Sequence, residues 1–249
     1  MQNEIGLEAS RNEAPKVLSL VSENKNIYYA VKRIIDVVLA STLLILLFPL
    51  MILVAILIYV YSPGPILFKQ ERVGAKRQLH GKRYYWKREN FQCYKFRTMK
   101  VNADTSVHQA YIKALIENDE EKMTVLQGVP TQPRKLVNDP RIIRPGKLLR
   151  KLSLDELPQL WNILIGDMSL IGPRPAIPYE VEMYKCWHLR RLEAQPGLTG
   201  LQQVMARCTA DFDQQVLFDI EYIEKRSLWL DMKIIIKTPL AIISTKGAY

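Results

Sequence analysis

The sequence predicts an α+β protein, mainly helical, organised around a membrane-seeking segment, and three observations predict it. From Val37 to Tyr61 the chain carries no charge. Two aromatic-rich runs, Ile66-Leu67-Phe68 and Tyr84 through Phe96, read as strands of a small β-hairpin, with Gly74 and Gly81 as turn formers between them. Beyond them, Leu157–Ile165 and Phe218–Ile236 mix apolar residues with polar or basic ones in the manner of amphipathic helices. A chain of 249 residues can bury a sizeable core, as one large domain or two small ones.

Residues 1–26 are polar and lack a sustained apolar period, which predicts a mobile tail. The apolar segment that follows is 25 residues long, against about 20 needed to span a bilayer as a helix. It starts too late, and lacks the small-residue cleavage site, for a removed signal peptide. Pro49 stands at its centre with twelve residues on each side, and a twelve-residue helix reaches only about 18 Å. If Pro49 merely kinks the helix, the segment spans; if it turns the chain back, both ends emerge on one face. Lys25, Lys32 and Arg33 precede the segment, and Lys69, Arg72, Lys76, Arg77, Lys82, Arg83, Lys87 and Arg88 follow it. Basic flanks favour the cytoplasmic side, so both ends claim the same side. A re-entrant hairpin satisfies both, with Ser41 and Thr42 hydroxyls as candidate partners for backbone groups freed at Pro49; a kinked transmembrane helix stands beside it.

Ser62-Pro63-Gly64-Pro65 then forms a rigid turn. The basic and aromatic residues of the hairpin suit anionic lipid head groups better than single-stranded nucleic acid, given the apolar segment beside them. His108–Met123 reads as a helix and Val129–Pro140, with three prolines, as a loop. Phe218–Ile236, up to the interruption at Pro239, reads as a helix lying in the interface with its lysines snorkelling, or as an ordinary buried helix of the same period.

The net charge of +10 and pI near 9.4 point to an anionic partner. Cys93, Cys186 and Cys208 are widely spaced and form no C-x-x-C, which excludes a disulfide framework or a cysteine zinc site and suits a reducing cytoplasm. His80, His108 and His188 are equally scattered and read as surface or structural residues.

Ser153-Leu154-Asp155-Glu156 has the form of a capping box. Pro158, however, would then fall past the first helical turn, where an N–H is needed; a helix starting later frees both acids. Arg150 lies five residues before Asp155, and Arg174 is held in Gly172-Pro173-Arg174-Pro175. A carboxylate can attack phosphorus if cations neutralise the phosphoryl oxygens it approaches, and arginine's planar fork suits those oxygens. Pro173 and Pro175 limit how far that loop can drift. The neighbouring carboxylate, Glu156, can hold a divalent cation that bridges a diphosphate.

In order, Lys32-Arg33-Ile34-Ile35-Asp36, the Pro-broken apolar segment, Ser62-Pro63-Gly64-Pro65, Lys95-Phe96-Arg97-Thr98-Met99, Arg150 through Leu160, Gly166-Asp167-Met168-Ser169, Gly172-Pro173-Arg174-Pro175 and Pro196-Gly197-Leu198-Thr199-Gly200 resemble the bacterial sugar transferases. These are monotopic phosphoglycosyl transferases that initiate polysaccharide and glycoconjugate assembly on undecaprenyl phosphate. The resemblance runs from about residue 30 to the end. It implies transfer of a phosphosugar from a UDP-sugar, with release of UMP, through a covalent intermediate on Asp155. It further implies Mg2+ at Glu156, diphosphate contacts from Arg150 and Arg174, and a re-entrant helix broken at Pro49. On that basis residues 1–26 are the tail, 27–65 the membrane hairpin and 66–249 a compact catalytic domain with interfacial helices on the cytoplasmic face of the inner membrane. Lys95 and Arg97 are candidate phosphate contacts, and Asp219 and Tyr222 match a further family motif.

Two departures stand out: Phe48 precedes the breaking proline where many relatives have serine, and Asp104–Pro140 is longer than in the smallest relatives and has no assigned catalytic role. The chain reads as a minimal catalytic unit without nucleic acid as a partner, and its apolar surface could pair two copies into a homodimer. The competing class is a non-catalytic, basic, membrane-anchored protein that binds an anionic polymer. It accounts for the charge but not for acids and arginines alternating between Arg150 and Arg174.

Overall fold

The computed structural model describes residues 17–18, 25–127, 139, 141–206 and 210–243, with only the backbone for 17–18. The tail expected over residues 1–26 and the loop over Val129–Pro140 lie almost wholly outside them. Within the tail, Val17–Leu18 form a short strand, β1.

Helix α1 runs from Asn26 to Tyr61 as one element with Pro49 inside it. Thr42 Oγ1 donates to the Val38 carbonyl one turn back, at 2.8 Å, and so does not serve the carbonyl that Pro49 leaves unpaired, which is that of Ile45. The helix is long and apolar enough to cross a membrane, and most of its apolar stretch is exposed. Its polar start is fastened to the rest of the chain by side-chain hydrogen bonds and an ion pair. Arg33 donates to the carbonyls of Ile163 and Leu164, capping the end of another helix, and Asp36 accepts from the Leu170 N–H at 3.0 Å. Lys32 pairs with Asp231 at 3.1 Å.

A single long hairpin follows, β2 (Leu67–His80) and β3 (Arg83–Phe96), antiparallel from Leu67↔Phe96 to His80↔Arg83, with β1 on the outer edge of β3. Gly81 takes φ 62° at the first position of the tight turn, where a side chain would strain the backbone. The second expected turn former does something else: Gly74 lies inside β2 opposite Glu89, and a Cβ there would meet the Phe91 ring at 3.1 Å. Its role is close packing rather than reversal.

Two short helices, α2 (Ser106–Glu117) and α3 (Glu120–Gln127), replace the single helix expected over His108–Met123. Asn118 at φ 55° ends the first, and the Asp119 carboxylate accepts from the Lys122 N–H to start the second. After α4 (Arg144–Lys151) comes one turn of 3-10 helix (Leu154–Glu156), then α5 (Gln159–Ile165), β4 (Ser169–Ile171) and α6 (Pro178–Glu182). A second 3-10 segment (Cys186–Leu192) precedes β5 (Gly197–Thr199) and α7 (Leu201–Met205).

The last expected helix is also two. α8 (Phe212–Lys225) is capped by Asp211, whose carboxylate accepts from the Gln214 N–H at 2.7 Å. α9 (Leu228–Ile243) starts where Ser227 Oγ accepts from the Leu230 N–H, and it continues through Pro239, which does not end it.

The main core joins Ala40 of α1, Phe91 and Cys93 of β3, Leu160 and Ile163 of α5, β4, and Tyr222, Ile223 and Ile234 from α8 and α9. The hairpin is fixed to α5 by Asn162, fully buried, whose side chain accepts from the Tyr94 N–H at 3.0 Å and donates to the Gln92 carbonyl at 2.7 Å. A second cluster packs α2 and α3 on α8, and a third packs Val54 and Ile58 of α1 on Phe96, Ile143 and Leu149.

Candidate functional site

Between α4 and α5 the chain reverses at Ser153, held at φ 56°, a conformation that non-glycine residues adopt at a cost. The Ser153 side chain makes no capping bond; its carbonyl instead accepts from the Glu156 N–H at 3.2 Å to close the 3-10 turn. The α-helix begins only after Pro158, so the two acids lie in the turn, outside the helix. The turn drives Asp155 inward to 8 % exposure and leaves Glu156 half-buried.

The two carboxylates are treated differently. Lys95, near the end of β3, donates to Glu156 Oε1 at 2.7 Å. Burial pushes Glu156 upward, but the charges of Lys95, Arg174 and Arg72 outweigh it and hold the carboxyl down to about 2. Asp155 receives no ion pair among the described residues. Burial, and then the negative charge of Glu156, push it up to about 6 against the opposing pull of Lys95 and Arg150. The half-buried Arg150 stands in the field of Asp155 and of Asp139, and burial lowers its pKa. One acid is therefore ionised and held; the other is a buried carboxylate with no ion pair among the described residues, in the field of Lys95 and Arg150.

Arg174 is exposed and makes no hydrogen bond or ion pair among the described residues, yet its backbone is tightly fixed. β4 and β5 pair in parallel, Ser169↔Gly197 and Ile171↔Thr199. The Gly172 N–H donates to Thr199 and the Gly197 N–H to Pro173, both at 2.9 Å. A Cβ on Gly197 would stand 2.1 Å from the Gly172 nitrogen, and one on Gly200 would stand 2.2 Å from the Gly172 carbonyl oxygen. Gly172-Pro173-Arg174-Pro175 and Pro196-Gly197-Leu198-Thr199-Gly200 are thus two halves of one interlocked backbone, with Pro173 and Pro175 buried in it. From the other side, buried Arg72 of β2 donates to the Pro175 carbonyl at 2.9 Å, and the Val73 N–H donates to Ala176 at 2.8 Å. The loop is rigid and the arginine on it is available.

Asp155, Glu156, Lys95, Arg150 and Arg174 thus share one electrostatic neighbourhood. The remaining candidates sit in supporting positions. Arg97 is buried and donates to the carbonyls of Ser62 and Pro63, tying down the turn after α1. Asp219 is buried 2.6 Å from Arg191. Tyr222 is buried and donates toward the Ile171 carbonyl and the Asp231 carboxylate, which also accepts from Tyr28.

Arg72 and the pair Asp139–Arg141 were not singled out by sequence. Arg141 grips Asp139 through Nε and Nη2, at 2.8 and 2.6 Å, and Asp139 in turn faces Arg150. Arg72 left a faint signal, a charged residue among the inward-facing positions of a strand. Among the described residues no three acidic, histidine or cysteine side chains cluster as a metal cage. The adjacent acids fit only a hard cation that brings its own water and phosphate oxygens, as Mg2+ does.

Comparison with known proteins places this geometry. Residues 27–245 match the family described as bacterial sugar transferase. The chain is 40 % identical over 218 residues to the undecaprenyl-phosphate galactose phosphotransferase of Salmonella typhimurium, covering 88 % of this chain and 41 % of that protein. It is 37 % identical over 218 residues to the exopolysaccharide production protein ExoY of Rhizobium meliloti, covering 88 % of both. Over 226 residues it is 36 % identical to the UDP-glucose:undecaprenyl-phosphate glucose-1-phosphate transferase of Caulobacter vibrioides, covering 88 % of this chain and 72 % of that one.

Proposed function

The chain belongs to the bacterial sugar transferase family, and from that premise we propose that it moves a sugar 1-phosphate from a UDP-sugar to undecaprenyl phosphate through a phosphosugar carried on Asp155. The observation that carries this reading is the unequal pair: Glu156 ionised and held by Lys95, Asp155 buried and unpaired with its pKa raised. A buried carboxylate lacking hydrogen-bonded cations keeps its electron pair available for attack.

In the first half-reaction an Asp155 oxygen bonds to the β-phosphorus of the donor and the bond from that phosphorus to the bridging oxygen breaks. UMP leaves with the bridging oxygen and its electron pair. In the second, an oxygen of undecaprenyl phosphate bonds to the same phosphorus, the acyl phosphate bond breaks, and Asp155 returns as a carboxylate while the lipid carries the sugar diphosphate. Arg174 and Arg150 face the phosphoryl oxygens, the first from a rigid loop that need not reorganise as charge builds. Lys95 keeps Glu156 ionised. Glu156 is the residue to hold Mg2+, which when bound would draw charge from the diphosphate. Because UMP departs before the lipid phosphate attacks, one cationic pocket serves both steps.

The membrane arrangement is proposed on similar grounds. Asp36 and Ala40, before Pro49, and Val54 and Ile58, after it, are buried in the same protein body. The stretch between exposes Ile45, Leu46, Phe48 and Leu53. A spanning segment would put one of those ends across the bilayer from the body it packs on. This supports a reading in which both ends lie on one side and α1 dips into the bilayer and turns at Pro49 rather than crossing, with the basic flanks favouring the cytoplasm as that side. Trp161 on α5 and Trp229, Ile236 and Leu240 on α9 are exposed apolar residues suited to lie in the same interface.

The test is nucleotide release by purified protein supplied with UDP-sugars, undecaprenyl phosphate and Mg2+. UMP that depends on the lipid for turnover and vanishes in Asp155→Asn supports the reaction. Release of UDP instead, or unchanged UMP in the variant, overturns it.

A further inference from the structure

A cavity of about 460 Å³ lies apart from the acids and arginines of the transfer site, none of which lines it. Its walls come from the first turns of α1, the outer half of the β2–β3 hairpin and the end of α8. Five cations line it, Lys32, Arg33, Lys76, Arg77 and Arg226, against one carboxylate, Asp36, which already accepts from Leu170. Four of the cations already have polar partners: Lys32 pairs with Asp231, Lys76 with Asp167 at 3.1 Å, Arg33 caps the end of α5, and Arg77 donates to Asn26 Oδ1 at 2.7 Å.

Arg77 and Arg226 are arranged around aromatic rings. The Arg77 guanidinium stands 3.6 Å from the Tyr84 ring centre and 4.3 Å from that of Tyr29. Arg226 stands 5.5 Å from both Tyr29 and Trp86. Arg226 is 9 % exposed and, among the described residues, forms no ion pair and donates only to the Glu193 carbonyl. Its Nε, the Trp86 Nε1 and the Tyr29 Oη are buried with no hydrogen-bond partner among the described residues. Two guanidiniums flanking one tyrosine, in a wall that carries five cations against one carboxylate, call for an acceptor-rich anion.

Position selects its source. Ile27, Ile34 and Val38 of α1 are exposed apolar side chains within about three turns of Tyr29, which sets the cavity beside the apolar face of the membrane-seeking helix, where tyrosine, tryptophan and arginine suit lipid head groups. We infer that this cavity is a binding site for a phosphate-bearing head group, that of an anionic phospholipid, separate from the transfer site. A lipid seated there would join α1, the hairpin and α8 and hold the hairpin against the bilayer. The inference depends on membrane insertion of α1 and not on the reaction assigned to Asp155.

The test uses the full chain in detergent, titrated with phosphatidylglycerol or phosphatidylcholine and read by native mass spectrometry of the retained lipid. The site predicts one phosphatidylglycerol retained in preference to phosphatidylcholine, and about fivefold weaker retention in Arg77→Gln. Arg83→Gln removes the same charge from the exposed tip of the same hairpin and should leave retention unchanged. Ala30→Phe, which fills the cavity from α1 without touching a charge, should also weaken it. Equal retention of both lipids, or equal losses in Arg77→Gln and Arg83→Gln, would overturn the site. Displacement of the lipid by inorganic phosphate alone would overturn the phospholipid as its source; persistence in phosphate buffer supports it.

Discussion

Replacing Asp155 by asparagine should make the protein more stable while abolishing its activity, and replacing Glu156 by glutamine should do the reverse to stability. Asp155 is pushed from 3.8 to about 6 in the folded chain, so its charged form is disfavoured by about 3 kcal/mol relative to the unfolded chain. The sign follows from the direction of the shift. Below pH 3.8 the group is protonated in both states and costs nothing; between 3.8 and about 6 the cost grows, and above that it is complete. Asparagine keeps the shape and removes the charge. At pH 7.5 the variant should therefore melt higher, with a ceiling of about 6–12 °C at roughly 2–4 °C per kcal/mol for a chain of this size. At pH 4 the gain should disappear. Glu156 is held at about 2 against an ordinary 4.5, so its contribution is fully present above 4.5 and is lost as pH falls toward 2. Its replacement removes about 3 kcal/mol of that, partly offset because Asp155 is relieved of a like charge, and the double variant should be non-additive. The assay is thermal unfolding at fixed scan rate in one detergent, at both pH values. An Asp155→Asn protein that melts at or below the parent at pH 7.5, or whose advantage is the same at pH 4, would refute the reasoning.

The same charges set the pH dependence of transfer: activity should fall on the acid side with a midpoint near 6, and Lys95→Met should move the midpoint of its residual activity upward, because Lys95 pulls Asp155 down. Gly197→Ala puts a methyl group 2.1 Å from the Gly172 nitrogen and should cost several kcal/mol, read as loss of folded protein in expression and melting assays. Asn162→Leu leaves the Tyr94 N–H and Gln92 carbonyl unpaired in the interior and should cost about 2–4 kcal/mol by the same assay. Single cysteines at Ile27 and Leu67, both exposed, should react with an impermeant reagent from the same side of sealed vesicles; labelling from opposite sides would contradict the re-entrant arrangement.

Much of the site was legible because the sequence itself carried the conflict that exposes it. Pro158 would fall past the first turn of a helix capped at Ser153, where an N–H is needed, and the helix does begin after it, leaving Asp155 and Glu156 in a turn. Arg150 stands out because it lies five residues before Asp155, and Arg174 because prolines bracket it. Arg97 was harder: its guanidinium ties down backbone carbonyls 34 and 35 residues earlier, and no local pattern distinguishes that from a phosphate contact. Arg72 gives only a faint signal for the same reason, since its partner, Pro175, is 103 residues away. Gly74 and Gly81 look alike in sequence, and only the aromatic ring packed across the strand makes one a packing site and the other a turn. The helix breaks at Asn118 and at Ser227 rest on polar residues whose local caps competed with a continuous apolar period, and the period was followed too far. Pro239 is the opposite case, a breaker that the helix α9 continues through.

The most direct measurement is intact mass of the protein after exposure to a UDP-sugar and Mg2+ with no lipid phosphate present. Attack by Asp155 predicts a mass gain equal to one sugar phosphate, one equivalent of UMP released, the adduct mapped to the peptide containing Asp155, and its loss when undecaprenyl phosphate is added. An unmodified protein that nevertheless turns over when lipid is supplied, or an adduct that survives in Asp155→Asn, would contradict the assignment of this carboxylate as the nucleophile.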